Sequence, residues 1–135
     1  MREMKVRGYS LDEGQWIKGF GAEYNDDLET YLVHNNRGFF EVDGESIGEY
    51  TGYKYINDIE ICEGDIVEKE FMEPWIEEWL EDTKFTGIVE MIDGCWCVVN
   101  EKKKKGERLW TLWSETDVNR VIGNIYENPE LLEEE

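Results

Sequence analysis

The chain has 135 residues, enough for one ordinary domain or for two small lobes that share a core. Asp and Glu number 33 against 14 Lys and Arg, so the formal net charge is −19. That charge disfavours nucleic-acid phosphates and anionic lipid as general partners. Three Cys without a repeated spacing do not form a disulfide framework, and no apolar run approaches the roughly 20 residues of a membrane span.

The composition otherwise favours a folded protein. Hydrophobic residues make up 40% of the chain and aromatic residues 13%, which is enough for a packed core. The stretch after Met1 is charged and unlike a signal peptide. We therefore expect a protein of a reducing cytoplasm, with no membrane partner.

The first fifty residues predict a small antiparallel sheet. Residues 3–9 alternate between small or apolar side chains and charged ones, which is the period of a half-buried strand. Asn35, Asn36 and Arg37 are typical of a hairpin tip between two strands. Further strands are predicted at residues 15–20, 30–34 and 38–42.

The remainder of the chain predicts about five short strands after a Tyr- and Gly-rich connector over residues 48–59. Asp93-Gly94 is typical of a two-residue turn between two of these strands. Five such strands bury a core by curling into a small barrel or a two-layer sandwich, and an SH3-like barrel is the simplest choice. The strands are predicted within residues 61–71, 85–92, 95–100, 108–113 and 121–126.

One short helix is predicted inside a long loop of this barrel, over residues 72–84. Trp75 and Trp79 lie four residues apart, with acidic residues between them, and Pro74 stands at an early helical position. The same spacing relates Ile76 and Leu80. The pattern indicates about two turns of amphipathic helix.

Three blocks of the sequence resemble the YopX-like family of phage and prophage proteins. They are the opening MREMKVR (residues 1–7), the pair GEYTG (48–52) and EICEGDIV (60–67), and the closing VIGNIYENPELL (121–132). The blocks stand at the beginning, middle and end, so the resemblance spans the whole chain. Residues 53–59 depart from the family's usual Leu and charged turn, and the Trp-rich insert is not part of its common pattern.

The resemblance implies a mainly β protein with two parts. Residues 1–58 would form the small N-terminal antiparallel sheet and the connector. Residues 59–135 would form an SH3-like C-terminal barrel, to which the sequence pattern adds the short inserted helix and an acidic tail. The resemblance further implies a protein that a mobile element encodes and that associates with itself. The family has no established biochemical activity, so no catalytic residue and no cofactor is transferred.

Glu60, Glu63 and Asp65 are the most closely spaced carboxylates beside a thiol, and they could ligate Mg²⁺ or Ca²⁺. The same stretch has the residues of a tight turn, because Gly64 tolerates a positive φ and Asp65 can cap the turn. With 33 acidic residues in the chain, neighbouring carboxylates arise by chance. We therefore interpret this stretch as a corner between two strands.

The other candidate chemistry is weaker. Cys95 and Cys97 share one side of a strand, and with Cys62 and His34 they could in principle make a zinc site or a Cys–His pair. The paired ligand spacing of zinc sites is missing, so we predict that both thiols face the core. The four lysines at 102–105 are interpreted as a solvated hairpin tip, and no nucleic-acid partner is expected.

The six Trp exceed what a barrel of this size can bury, since fully buried Trp is uncommon. Some of them are then expected at a protein interface, where Trp is enriched. The candidates are Trp75, Trp79, Trp110 and Trp113.

The leading hypothesis is a non-enzymatic accessory protein that binds itself and possibly a host or phage protein. One alternative is an acidic decoy that imitates DNA to occupy a DNA-binding protein. Another is a metal-dependent enzyme centred on Glu60, Glu63 and Asp65.

Overall fold

A computed structural model describes residues 5–54, 59–70, 84–102, 109–112 and 118–132. These residues are mainly β, in antiparallel sheets with two short 3₁₀ helices, which confirms the predicted fold class in its general form. The predicted helix over 72–84 falls on residues 72–83, outside the described part, and Lys84 begins a strand. The chain divides into two compact units, Met1–Tyr50 and Thr51–Glu135.

The first unit consists of short strands joined by tight turns. Its elements are β1 (Val6–Ser10), β2 (Gln15–Gly19), β3 (Gly21–Asn25), β4 (Thr30–Asn35), β5 (Gly38–Val42), a 3₁₀ helix (Gly44–Ser46) and the start of β6 (Gly48–Lys54). Strand β1 pairs with both β2 and β6, while β4 lies between β3 and β5. The hairpin around Asn36 is confirmed, with Asn35 opposite Gly38. The sequence patterns did not predict β3, and they placed residues 48–54, which form β6, in a connector.

Alternation along the strands builds the core of the first unit. The buried residues Ile17, Val33 and Val42 form its centre. Gly8 belongs to the same side of β1 as Val6, and a Cβ at position 8 would lie 2.8 Å from a methyl carbon of Val42. This side of β1 and β2 therefore faces the core, and the opposite side of the same two strands faces outward.

The described strands of the second unit are β7 (Glu60–Cys62), β8 (Asp65–Glu70), β9 (Lys84–Ile92), β10 (Cys95–Val99), β11 (Leu109–Thr111) and β12 (Val118–Asn124), followed by a 3₁₀ helix (Pro129–Leu132). All of these strands except β7 form a five-stranded sheet in the order β11-β10-β9-β8-β12. Asp93 and Gly94 both have positive φ, 49° and 84°, so the predicted tight turn between β9 and β10 is confirmed. The core consists of Ile61, Val67, Phe85, Val89, Val98 and Leu112.

The two edges of the five-stranded sheet approach each other at Leu112. This residue follows β11 at one edge, and its carbonyl oxygen accepts hydrogen bonds from Lys69 Nζ (3.3 Å) and Asn119 Nδ2 (2.9 Å). Lys69 and Asn119 belong to β8 and β12, at the other edge. Lys69 lies on the Val67 side of β8 and is 1% exposed, so the sheet curls around a buried ammonium group as well as an apolar core.

The closing block of the sequence folds back on β12. The strand carries a register shift between Val121 and Gly123, and a Cβ at position 123 would lie 2.7 Å from Asn128 Oδ1. Asn124 accepts a hydrogen bond from the Glu127 N–H through its side chain (2.8 Å) and from the Asn128 N–H through its carbonyl (2.8 Å). The residues of this block thus form a turn and a 3₁₀ helix that end the domain.

Gly19 is the tightest backbone contact in the first unit, and it supplies a test of the fold. A Cβ there would lie 2.3 Å from the His34 carbonyl oxygen, so Gly19→Ala should lower the free energy of unfolding by about 3 kcal/mol. Gly14 faces open space with φ +65°, so Gly14→Ala should cost only about 1 kcal/mol. Urea titration of both variants checks the difference. Equal losses would show that the close approach at Gly19 is unimportant.

Candidate functional site

The outward side of β1, β2 and β6 carries a group of basic and aromatic side chains that we call the cationic face. Alternate residues of a β-strand point to the same side of the sheet, so the outward side chains of neighbouring strands form one surface. Tyr9 is paired with Trp16 and Arg7 with Lys18 in the antiparallel register. The cationic face consists of Lys5, Arg7, Tyr9, Trp16, Lys18 and Tyr50.

Ring contacts hold the cationic face together. The Arg7 guanidinium carbon lies 4.5 Å from the centroid of the Trp16 ring, which is the distance of a cation–π contact. Trp16 meets Tyr9 edge to face, with centroids 5.3 Å apart and planes at 78°. On the other flank Lys18 Nζ lies 5.8 Å from the centre of the Tyr50 ring. Each cation of these pairs is therefore positioned by an aromatic ring.

The charge of the cationic face is opposite to that of the chain. None of the outward positions of β1, β2 and residues 48–50 is Asp or Glu, although the chain holds 33 of them. Glu49 stands on the other side of the pleat, since it is opposite Val6. Lys5 and Lys18 are exposed, and the three aromatic residues are half-buried. This surface can attract carboxylates or phosphates and offer rings for packing.

The cationic face was missed by sequence reasoning, although part of its signal was visible. The alternation over residues 3–9 placed Lys5 and Arg7 on one side of a strand. It could not show that Trp16, Lys18 and Tyr50 come to the same side, because strand pairing joins residues far apart in the chain.

The turn between β3 and β4 forms an acidic surface in the same unit, which we call the acidic tip (Asp26, Asp27, Leu28 and Glu29). All four residues are exposed, and Leu28 retains 57% of its accessible surface. The Leu28 N–H donates to Asn25 Oδ1 (2.9 Å), and Glu29 has φ 53°, so the turn has a defined conformation. The exposed rings of Tyr24 and Tyr31 pair edge to face beside it, with centroids 5.1 Å apart.

Most of the predicted tryptophan interface falls outside the described part of the chain. Trp75, Trp79 and Trp113 lie outside the described residues. Trp110 belongs to β11, where it is paired with Val98. The interface therefore stays a prediction.

The segment that carries the closely spaced carboxylates, residues 60–65, turns between β7 and β8, which confirms the predicted corner between two strands. Gly64 has φ +90°, and Asp65 Oδ2 accepts a hydrogen bond from the Cys62 N–H at 2.8 Å. Asp65 is 3% exposed, whereas Glu60 is exposed. Within the described residues, no three Asp, Glu, Cys or His side chains form a group that could hold a metal ion, so the alternative of a metal site at Glu60, Glu63 and Asp65 gains no support from their positions.

The cysteines correct one expectation. Cys97 is 3% exposed, but Cys95 is exposed, so only one of the two thiols is buried as predicted. Cys95 directly follows the Asp93-Gly94 turn, at the end of the hairpin, where the sheet offers no cover. Trp96 and Val98 point to the core cluster instead. Burial, followed by the charges of Cys95 and Asp93, raises the pKa of the Cys97 thiol.

His34 and Lys102 have ordinary surroundings. The His34 ring lies 5.7 Å from the Phe39 ring on β5, and an atom of the same imidazole would contact a Cβ at position 21. Lys102 is exposed in the turn after β10, which agrees with the predicted solvated tip. Residues 103–105 of this tip lie outside the described part. In the described part of the chain, no helix has the length and apolar character that crossing a membrane requires.

A family model described as YopX protein matches residues 5–133, which is nearly the whole chain. No curated protein matches the chain at a significant level. The match includes β1 and β2, the turn at 62–65 and the closing turn after β12.

The cysteines predict a selective labelling pattern. In the folded protein at pH 8, a soluble thiol reagent should modify Cys95 first, because Cys62 and Cys97 are buried and the raised pKa of Cys97 lowers its thiolate fraction. Mass spectrometry of the labelled protein identifies the site. Cys95→Ser should abolish the fast phase, and equal rates at all three thiols would contradict the described burial.

Proposed function

The chain belongs to the YopX protein family, and we propose that it is a non-enzymatic accessory protein, encoded in a phage or prophage, that binds proteins including a second copy of itself. The observation that supports this proposal is the cationic face, where Arg7 and Trp16 form an ordered pair. Arg, Trp and Tyr dominate the binding energy of protein interfaces. The three cysteines, all among the described residues, are not joined in disulfides, which suits the reducing cytoplasm of a bacterial host.

We further propose that the five-stranded sheet closes into an SH3-like barrel with a short helix inserted within residues 72–83. The strand order supports closure, because β12 returns beside β8. The hydrogen bonds from Lys69 and Asn119 to the Leu112 carbonyl support it as well, since they bridge the two edges. Closure removes exposed edges, which small β domains otherwise have to protect.

The proposed interface includes Trp75 and Trp79, with Trp110 and Trp113 as further candidates. Trp75 and Trp79 are four residues apart, and residues at this spacing share one side of a helix. A Trp pair on an acidic helix supplies apolar area that a partner can bury, while the acidic residues keep the free protein soluble.

This interface leads to a direct test. Trp75→Ala/Trp79→Ala should weaken self-association by about tenfold or more, as the loss of an interface anchor does, and leave the circular dichroism of the β fold unchanged. Sedimentation velocity over a concentration series measures the association. Glu77→Gln/Glu78→Gln is the matched control in the same segment. A Trp variant that associates like the wild type would remove these residues from the interface.

A second candidate function is an acidic decoy of a DNA-binding protein, and the net charge of −19 is the observation that favours it. A complex of this kind should weaken steeply with salt and should be displaced by duplex DNA. Capture with a tagged chain from nuclease-treated lysate, washed at low and high salt, checks this expectation. A captured partner that is indifferent to salt and to added DNA would exclude the decoy.

A further inference from the structure

We propose that the cationic face of one copy binds the acidic tip of a second copy, an inference that rests on the proposed self-association. Both surfaces belong to the described part of the first unit. They carry opposite charges, and each combines its charges with exposed or half-buried apolar groups. Residues of the first unit would thereby bind one copy of this acidic chain to another.

The cationic face has the properties of a prepared binding surface. Lys5 and Lys18 are exposed, so their ammonium groups can contact carboxylates. The backbone beneath them is fixed, because the Lys5 N–H donates to Gly19 O (2.9 Å) and the Tyr50 N–H donates to Lys5 O (2.7 Å). The half-buried Tyr50 ring lies 5.8 Å from Lys18 Nζ. Such preorganisation lowers the conformational-entropy cost of ordering this surface when a partner binds.

The acidic tip has complementary chemistry. Asp26, Asp27 and Glu29 place three carboxylates in one four-residue turn, and all of them are exposed. Leu28 stands among them with 57% of its surface accessible. The turn could place Leu28 against the rings of the cationic face while the carboxylates reach the flanking lysines. Tyr24 and Tyr31, with 51% and 42% of their surfaces exposed, enlarge the apolar part of the contact.

The net charge favours contacts that use the cationic face over contacts between two acidic surfaces. Two copies that each carry −19 repel each other over most of their surfaces. A contact between the cationic face and the acidic tip replaces like charges with opposite ones, and mismatched orientations stay unfavourable. The same net charge disfavours a nucleic-acid strand on the cationic face, because phosphates would meet an acidic chain around it.

The geometry of the assembly follows from the use of two different surfaces. Where two copies make this contact once, it is heterologous, so the pair keeps one free face and one free tip and assembly continues to a closed ring or to longer chains. A dimer with two-fold symmetry would instead make the contact twice, with the face of each copy on the tip of the other.

Charge reversal on the full-length chain tests the contact. Lys5→Glu/Lys18→Glu reverses the cationic face, and Asp26→Lys/Asp27→Lys reverses the acidic tip. Each variant alone should associate at least tenfold more weakly than the wild type in light scattering over a concentration series. An equimolar mixture of the two variants, or all four changes in one chain, should restore assembly, because opposite charges then meet again.

Matched controls separate the contact from net charge and folding. Glu90→Lys/Glu101→Lys and Lys84→Glu/Lys102→Glu make the same charge changes at exposed positions of the second unit, and both should assemble normally. If a reversal variant loses its β circular dichroism, the neutral changes Lys18→Gln and Asp27→Asn replace it and should weaken assembly in the same direction.

The outcomes distinguish this inference from the proposed function. A wild-type chain that stays monomeric at all concentrations would overturn the proposed self-association and the inference together. A wild-type chain that assembles while both reversal variants assemble equally well would overturn only the contact described here. If the face variant instead loses an acidic peptide or a single-stranded nucleic acid while assembly is intact, the cationic face serves that ligand and the inference fails.

Discussion

The turn from Cys62 to Asp65 is the point on which the second unit depends. Its backbone bonds to two other segments, since the Gly64 N–H donates to Val89 O (3.0 Å) and Gly64 O accepts from the Ile125 N–H (2.8 Å). The buried Asp65 carboxylate accepts the Cys62 N–H within the turn. One turn thereby joins β7, β8, β9 and the end of β12. A buried carboxylate without that donor would be costly, so the turn and the burial of Asp65 depend on each other.

The blocks that identify the family have architectural roles in this chain. The central block contains the turn at Gly64, and Thr51 Oγ1 in its first half donates to Ile61 O at 2.9 Å. The closing block contains Gly123, whose lack of a side chain admits Asn128 and Leu131. Residues that define the family by sequence thus close turns and end strands. Function is better sought on surfaces between these turns, where side chains can vary without breaking the fold.

Electrostatics sets the first unit apart from the composition of the whole chain. The net charge of −19 is the sum over the whole chain and says nothing about how charges are distributed. Pairing of β1, β2 and β6 gathers Lys5, Arg7 and Lys18 on one side of a sheet. The rings of Trp16 and Tyr50 hold two of these cations in place. A local field of this kind controls orientation and partner choice more than it controls stability. The composition alone therefore underestimates what this protein can bind.

The sequence by itself determined the local features, and the tertiary structure decided which of them meet. Alternation predicted the strand at 3–9, and the hairpin tip at 35–37 predicted the strands at 30–34 and 38–42. Asp93-Gly94 and Gly64-Asp65 predicted two turns of the second unit, because backbone geometry at these positions depends on neighbouring residues. Strand β3, the burial of Lys69 and the composition of the cationic face depend on pairing between distant segments. Lys69 and its acceptor at Leu112 are separated by 43 positions, and no local pattern encodes such a contact. The exposure of Cys95 has the same origin, since period two predicts the side of a strand but not where its neighbours end.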